Sequence, residues 1–167
     1  KVLSEEGSAR IVTATNVFAH MEDIHSVTDN IVALLREDGV FISESHYWLA
    51  LVETLQYDTI YHEHLRYYSL TSMKYLLEMH GLEVIHAVRI PTHGGSLRTY
   101  AARKGTLPVN DSVAALLGAE KQRLTDKALS EFRRQVVQSK LDLYALLADV
   151  KRQGTKRHRA SDGGWEW

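Results

Sequence analysis

The hydrophobic pattern of the first part of the chain alternates between strand-like runs and one helical segment. Residues 9–18 form an apolar, β-branched run that predicts a buried strand. A helix with apolar residues at helical spacing is predicted to start from an N-cap at Asp23 or Ser26 and to end at the Asp-Gly pair 38–39. Residues 40–45 predict a second strand. A strand, a helix and a strand joined by short turns favour a parallel sheet covered by helices.

The next part of the chain predicts another helix and a β-hairpin. The helix covers residues 72–80, with a start signal at Ser69 and a stop signal at Gly81. Residues 82–90 and 96–104 read as two strands on either side of a loop that contains proline and glycine. The short connection predicts that these two strands run antiparallel to each other.

The last part of the chain carries a long helical pattern followed by a tail without periodicity. The helical pattern covers residues 112–153, and Gly118 is the candidate break point within it. We therefore divide the chain into an α/β unit (1–107), a linker helix or helical pair (108–154) and a tail predicted to be disordered (155–167).

Composition and charge limit the classes of function. The chain has 167 residues, of which 44% are hydrophobic and 25% charged, as expected for about one globular domain. It has no cysteine, which excludes disulfides, thiolate metal sites and cysteine nucleophiles. Residues 1–150 carry a formal charge of −4 and residues 151–167 carry +3, which argues against nucleic acid as a partner. No apolar run is long enough to span a bilayer, so we expect a soluble, cytoplasmic protein.

Residues 46–70 fit no clean period and are rich in tyrosine and histidine. Their centre is the run Tyr61-His62-Glu63-His64. A histidine base suits the abstraction of a proton next to a carbonyl group, and a neighbouring tyrosine or histidine can donate to the oxyanion that forms. Two other interpretations stay open. The aromatic rings could pack as an amphipathic wall, or His62, Glu63 and His64 could hold a metal, although the helical zinc motif H-E-x-x-H is absent.

Two further groups of residues are candidates for binding. The first is the run 93–98, where paired glycines would let the backbone approach a ligand and Arg98 would suit an anion such as phosphate. The alternative for this run is a plain hairpin turn. The second group is Asn16 and His20, at the C-terminal end of the first predicted strand, where open α/β sheets bind ligands. A structural polar contact is the alternative for His20.

Five segments, taken together and in this order, resemble a known family. They are ATNVFAHMEDI, LLREDGVFISES, YDTIYHEHLRYYSL, HGLEVI and PTHGGSLRTY, and the resemblance covers roughly residues 7–153. They are similar to the hallmarks of S-adenosylmethionine-dependent sugar C-methyltransferases, which methylate nucleotide-linked 4-keto-hexoses. The resemblance implies an α/β fold with a partial Rossmann-like class I methyltransferase sheet. In that sheet, parallel strands end in an antiparallel hairpin, and a long α-helix follows.

The resemblance also implies a mechanism and its residues. A base removes the proton next to the 4-keto group, and the enolate then attacks the methyl group of S-adenosylmethionine. His64 resembles the base. The residues that resemble its active-site companions are Tyr61, Glu63 and His20. The residues that match the cofactor site are Asn16 and Ala19. The residues expected to bind the nucleotide-sugar substrate are His93, Gly94, Gly95, Ser96 and Arg98, and no metal ligand is expected.

The chain departs from the family pattern in ways that lead to further expectations. The cysteine-rich zinc-binding segment and the glycine-rich cofactor loop of the family have no counterpart in the sequence. We therefore interpret the chain as the second half of a methyltransferase domain. An exposed sheet edge is then expected to cause self-association. A non-catalytic remnant that lacks half of the cofactor site, and a metal-dependent enzyme, are the alternative functions.

Overall fold

Four strands form one mixed sheet: β1 (Ala9–Thr15), β2 (Leu35–His46), β3 (Leu82–Ile90) and β4 (Ser96–Arg103). The structure is a computed structural model that describes residues 2–154. The strands lie in the order β1-β2-β4-β3; β1 is parallel to β2, and β4 is antiparallel to both of its neighbours. This arrangement confirms the predicted parallel pair followed by an antiparallel hairpin. In the described part of the chain, β1 and β3 are the two edges of the sheet.

Six helices and three short 3₁₀ turns connect and cover the strands. The helices are α1 (Val2–Glu6), α2 (Ile24–Leu34), α3 (Trp48–Thr54), α4 (Leu70–Met79), α5 (Asp111–Arg123) and α6 (Asp126–Arg152), and the turns are Phe18–His20, Tyr57–Thr59 and Thr92–Gly94. The predicted start of α2 is confirmed, because the Asp23 carboxylate accepts a hydrogen bond from the backbone N–H of Ser26 at 3.0 Å.

The start of α4 is fixed from two sides. Ser69 and Ser72 form a reciprocal capping box. The buried Glu120 carboxylate of α5 accepts hydrogen bonds from the backbone N–H of Leu70 and, at 2.9 Å, from that of Thr71. The negative charge lies at the positive end of the α4 dipole, so it stabilises both the helix and its contact with α5.

The first predicted strand and the first helix both end earlier than the sequence pattern indicates. The strand predicted over 9–18 ends at Thr15, because Asn16 adopts a left-handed backbone with φ of 55°. The helix ends at Leu34 rather than at the Asp-Gly pair. Leu35 is buried and already belongs to β2. Gly39 lies inside that strand, where a Cβ atom would come within 2.9 Å of the Leu35 side chain. The glycine therefore permits close packing in an irregular strand rather than a turn.

The long helical segment breaks at a different residue from the one predicted. Gly118 lies inside α5, and the interruption falls at Leu124 and Thr125. The Thr125 side chain accepts a hydrogen bond from the backbone N–H of Ala128 at 3.2 Å and so starts α6. The predicted boundary near residue 107 falls between β4 and α5, and the predicted disordered tail lies outside the described residues.

One continuous core lies between the sheet and its helices. Its fully buried side chains include Phe18, Phe41, Leu49, Leu70, Leu77, Leu82 and Leu97. Burial of a side chain of this size contributes about 1.5–3 kcal/mol. Because side chains alternate along a strand, Glu44 and His46 lie on the opposite face of β2 from Phe41. Within residues 2–154, no helix combines the length and the apolar character needed to cross a membrane.

Candidate active site

Four histidines from separate segments meet near the carboxyl ends of β1 and β2. The ring centroid of His64 lies 4.9 Å from that of His20 and 5.1 Å from that of His46. The ring of His93 lies 5.9 Å from that of His46. His64 and His20, which are 44 positions apart in the sequence, are therefore neighbours, as the predicted site requires.

Hydrogen bonds join the loop that carries His64 to the turn that follows β1. The backbone N–H of Leu65 donates to the carbonyl of Ala19 at 2.9 Å. The Arg66 guanidinium donates to the carbonyl of Glu22, also at 2.9 Å. These contacts, made by the two residues that follow His64, fix the position of His64 relative to His20.

Tyr68 anchors the far end of the same loop in the core. Its hydroxyl donates to the carbonyl of Phe18 at 3.3 Å, and its own carbonyl accepts from the backbone N–H of Trp48 at 2.8 Å. Burial raises the pKa of Tyr68 to about 12, so the phenol stays protonated and remains a donor. Tyr68 therefore has the packing role that the alternative interpretation assigned to the aromatic residues of this segment, while it also positions the loop that carries His64.

The tautomer of His64 follows from its hydrogen bond. Its Nδ1 lies 2.8 Å from the carbonyl oxygen of Thr59, and a carbonyl only accepts. Nδ1 therefore carries the proton, and in the neutral ring the lone pair of Nε2 is free to accept one. The ring of Tyr61 lies 4.5 Å away between centroids, and its side chain is exposed. The half-buried imidazole of His64 thus presents a base next to a phenol.

His20 is held in the same way as His64. Its Nδ1 donates to the backbone carbonyl of Glu63 at 2.9 Å, which leaves its Nε2 free as well. Glu63 contributes its backbone to this contact. Its side chain is exposed and makes no hydrogen bond within residues 2–154. Of the three predicted companions of His64, His20 and Tyr61 therefore have their rings beside it, whereas Glu63 contributes its backbone carbonyl to the position of His20.

His46 occupies the centre of the cluster and was not predicted. Burial lowers its pKa, and the neighbouring positive charges that His64, His93 and His20 acquire on protonation lower it further. His46 therefore stays neutral to a lower pH than an ordinary histidine. It follows the strand predicted over 40–45. Open α/β sheets bind ligands at the carboxyl ends of their strands, so the reasoning that pointed to Asn16 would also have identified His46.

Asn16 and Ala19 lie where the cofactor residues were predicted. Asn16 follows β1, and its backbone N–H donates to the carbonyl of Glu44 at 2.8 Å. Its side-chain amide makes no hydrogen bond among the described residues, so it offers both a donor and an acceptor. Ala19 is buried, and its carbonyl is used by Leu65. A free amide at the carboxyl end of a parallel strand fits a cofactor with polar groups.

The paired glycines between β3 and β4 pack closely against α3 and the residues that follow it. A Cβ atom on Gly94 would lie 2.4 Å from the Gln56 side chain, and one on Gly95 would lie 2.6 Å from that of Ala50. Gln56 also donates to the Gly94 carbonyl at 2.7 Å. His93, just before them, adopts a left-handed backbone with φ of 51° and is exposed. The glycines therefore permit a tight loop that brings His93 to the site.

Two other residues of the predicted substrate loop, Ser96 and Arg98, form hydrogen bonds to other groups of the protein. The hydroxyl of Ser96 is buried and donates to the carbonyl of Thr92 at 3.1 Å. The Arg98 guanidinium donates from Nε and Nη2 to one oxygen of Glu44, at 3.0 and 2.8 Å. Glu44 is only 6% exposed and also accepts from the Thr92 hydroxyl at 3.2 Å. An anion at Arg98 would therefore share the guanidinium with the buried carboxylate of Glu44. This role of Glu44 was not predicted from the sequence.

The proposed metal ligands do not converge. The ring of His62 lies beside Tyr61, with the centroids 5.9 Å apart, rather than beside His64. In the part of the chain that the structure describes, no group of three or more histidine or acidic side chains is arranged to hold a metal ion. The geometry therefore gives no support to the metal-dependent alternative.

Comparisons with known proteins match two families in succession. Residues 1–87 match the family model of a methyltransferase domain, and residues 91–158 match that of a C-methyltransferase C-terminal domain. The chain is 39% identical over 124 residues to the C-methyltransferase NovU of Streptomyces niveus. This alignment covers 74% of the chain and 30% of NovU, so the chain spans less than a third of the length of that relative.

Two solved structures are similar at low sequence identity. One is a methyltransferase in complex with the Trm112 methyltransferase activator of Haloferax volcanii, with a TM-score of 0.48 and 17% identity over 57% of this chain and 54% of that one. The other is magnesium protoporphyrin IX methyltransferase from Synechocystis PCC 6803 with bound SAH. It has a TM-score of 0.46 and 14% identity over 62% of this chain and 49% of that one.

Proposed function

This chain belongs to the methyltransferase domain family, and we propose that it acts in the C-methylation of a nucleotide-linked 4-keto sugar, with S-adenosylmethionine as the methyl donor. The similarity to a C-methyltransferase and to a C-methyltransferase C-terminal domain supports transfer to carbon. The sugar substrate is proposed from the YHEH and THGGSLR motifs of the sequence.

The free Nε2 of His64 is the observation that carries the proposal. A carbon next to a keto group loses its proton only to a base that is unprotonated at working pH, and a histidine meets that condition. In the proposed step the C–H bond breaks and the proton moves to Nε2 of His64. The electron pair passes to the keto oxygen and gives an enolate. The Tyr61 phenol, beside His64, would donate a hydrogen bond to that oxygen.

The neighbouring residues complete the proposed reaction. S-adenosylmethionine would be held near Asn16 and Ala19 and would supply an electrophilic methyl group. Its methyl–sulfur bond would break as the methyl group passes to the enolate carbon, which leaves the sulfur as the thioether of S-adenosylhomocysteine. The substrate carbon ends with a new carbon–carbon bond to that methyl group, and the keto group forms again. His64 is left as an imidazolium and returns its proton to water. His20 would hold polar groups of the sugar, since its ring lies beside that of His64. The exposed side chain of Glu63, the residue before His64, is proposed for the same role.

The loop between β3 and β4 is proposed to face the nucleotide part of the substrate. His93 extends the histidine cluster towards this loop. The exposed backbone at Gly94 would approach a phosphate of the nucleotide. Gly95 would act by shaping the loop, because its N–H already donates to the Thr92 carbonyl at 2.9 Å. Ser96 would act indirectly, through its bond to the Thr92 carbonyl, and Arg98 would contribute the part of its guanidinium that Glu44 leaves free.

Product analysis tests the proposal. The protein is incubated with methyl-¹³C-labelled S-adenosylmethionine and a nucleotide-linked 4-keto-6-deoxyhexose, and the product is examined by NMR. We expect the label in a methyl group bonded to the carbon next to the keto group. Label on oxygen, or none on the sugar, would contradict the proposal. Absence of any heat of S-adenosylmethionine binding by calorimetry would favour the non-catalytic alternative.

Self-association through the edge of the sheet is proposed from the exposure of β1. Ile11 is 61% exposed, although it lies in the middle of that strand, and the strand has one unpaired side in the described structure. Such an edge offers backbone donors and acceptors to a second chain. Sedimentation velocity should show oligomers that increase with protein concentration, whereas a monodisperse monomer at all concentrations would contradict this expectation.

A further inference from the structure

Two donors meet on one carbonyl group next to the proposed base. The carbonyl oxygen of Thr59 accepts from Nδ1–H of His64 at 2.8 Å and from the hydroxyl of Tyr67 at 3.2 Å. A carbonyl has two lone pairs, so it can accept both hydrogen bonds at once. Tyr67 has had no part in the reaction described above, yet it shares the group that determines which nitrogen of His64 carries the proton.

The Thr59 carbonyl is fixed by its own turn as well. The Thr59 hydroxyl donates to the carbonyl of Gln56 at 2.9 Å, and the next backbone N–H, that of Ile60, donates to the carbonyl of Tyr57 at 3.0 Å. These bonds hold the 3₁₀ turn in place but leave the outward side of the Thr59 carbonyl to His64 and Tyr67. The Tyr67 hydroxyl therefore adds a further constraint on the orientation of that carbonyl, beyond those of the turn.

The ring of Tyr67 is itself held by packing. Its centroid lies 5.9 Å from that of Trp48, which lies 6.3 Å from that of the buried Phe132 on α6. Tyr67 meets the ring of His64 edge-on, with centroids 6.1 Å apart and planes at 86°. Burial raises the pKa of Tyr67, so its hydroxyl remains a donor at neutral and moderately alkaline pH. A row of rings from α6 to the site thus holds this hydroxyl on its acceptor.

We propose that Tyr67 is a positioning residue that keeps the proton of neutral His64 on Nδ1 and so keeps Nε2 available as the base. This inference rests on the proposed role of His64 as the base. Without the phenol, the Thr59 carbonyl loses one of its two fixed donors, and the Nε2–H form of His64 becomes more populated. That form cannot accept a proton at Nε2.

The tautomer can be observed directly in the full chain. Two-bond ¹H–¹⁵N NMR of ¹⁵N-histidine-labelled protein should show His64 protonated on Nδ1 and unprotonated on Nε2. In the Tyr67→Phe variant we expect the Nε2–H population to rise by about two- to tenfold, the effect of losing one ordinary hydrogen bond. The matched control is Tyr75→Phe, which removes a hydroxyl from a ring that is 67% exposed on α4. An unchanged His64 spectrum in Tyr67→Phe would overturn the inference.

A second substitution separates positioning from a general loss of structure. 3-Fluorotyrosine at position 67 keeps the hydroxyl donor and should retain the wild-type tautomer, whereas a change equal to that of Tyr67→Phe would contradict the inference. The NMR result does not depend on methyl transfer. A wild-type protein with the expected tautomers but no C-methylated product would refute the proposed function alone. A C-methylated product together with an unchanged Tyr67→Phe tautomer would refute the positioning role alone.

Discussion

Two pairs of neighbouring histidines in this molecule have similar distances between their rings but different hydrogen-bond partners. The rings of His20 and His64 lie 4.9 Å apart, and those of His25 and His80 lie 5.2 Å apart. In the first pair each Nδ1 bonds to a backbone carbonyl. In the second pair the rings bond to each other, with His25 Nδ1 2.9 Å from His80 Nε2, and His80 Nδ1 lies 2.6 Å from a carboxylate oxygen of Asp29.

The difference lies in which nitrogen atoms remain free. The Asp29 carboxylate accepts, so His80 donates from Nδ1 and must accept from His25 at Nε2. Both nitrogens of His80 are therefore used, and its side chain is only 9% exposed. It connects α2 to α4 as a structural link. In the other pair neither Nε2 atom has a hydrogen-bond partner within residues 2–154, and both rings lie near the carboxyl ends of the parallel strands. A candidate base therefore differs from a structural histidine in the atoms to which its ring nitrogens are hydrogen-bonded, and not in how many histidines lie nearby.

The largest expected effect is on the rate of exchange of the substrate proton, which should depend on His64 and not on His25. His64→Asn should reduce exchange of the substrate proton next to the keto group by about 10²–10⁴-fold, the usual contribution of a general base. The measurement is deuterium uptake from D₂O into a nucleotide-linked 4-keto sugar without the methyl donor. His25→Asn is the control and should exchange at the wild-type rate. Exchange by His64→Asn at the wild-type rate would show that another group is the base.

The second prediction concerns the structural pair. His80→Ala should lower the free energy of unfolding by about 1–2 kcal/mol, because it removes two hydrogen bonds between α2 and α4. Urea denaturation measures this change, and proton exchange of the substrate should continue under conditions in which the variant is folded. A loss of exchange as large as that of His64→Asn would mean that the two pairs are not functionally separate.

The smallest effect concerns the pH dependence of stability. The pKa of His46 in the folded protein lies below its ordinary value of 6.5, mainly because of burial. As the pH falls through 6.5, the unfolded chain binds the proton before the folded protein does, so the folded state loses stability. His46→Asn removes this loss. The free energy of unfolding of the variant should therefore decrease less between about pH 7 and pH 5 than that of the wild type. Equal pH dependence in the two proteins would show that folding does not lower the pKa of His46.

The sequence predicted those parts of the fold that depend on local signals. The cap at Asp23, the stop at Gly81 and the hairpin are set by residues close together in the chain, and all were confirmed. The break in the long helix was placed at Gly118, but it occurs at Thr125. Glycine only weakens a helix, by about 1 kcal/mol, whereas a threonine N-cap supplies a hydrogen bond for a new start.

The candidate site was predicted in part, for a related reason. His20, His64 and Tyr61 were singled out, and the structure brings them together. His46 and Tyr67 were missed because they lie in a segment without a clean period, and their importance depends on contacts to residues elsewhere in the chain. For Tyr67 this contact is a shared backbone carbonyl, which leaves no trace in the residue pattern.

The protonation of His64 tests the account most directly. Two-bond ¹H–¹⁵N NMR of the wild-type protein at about pH 8, above the usual titration range of histidine, reports both ring nitrogens of every histidine. The account predicts that His64 and His20 each carry their proton on Nδ1 and have a bare Nε2. A proton on Nε2 of His64 would contradict it, because the nitrogen proposed as the base would then be unable to accept one.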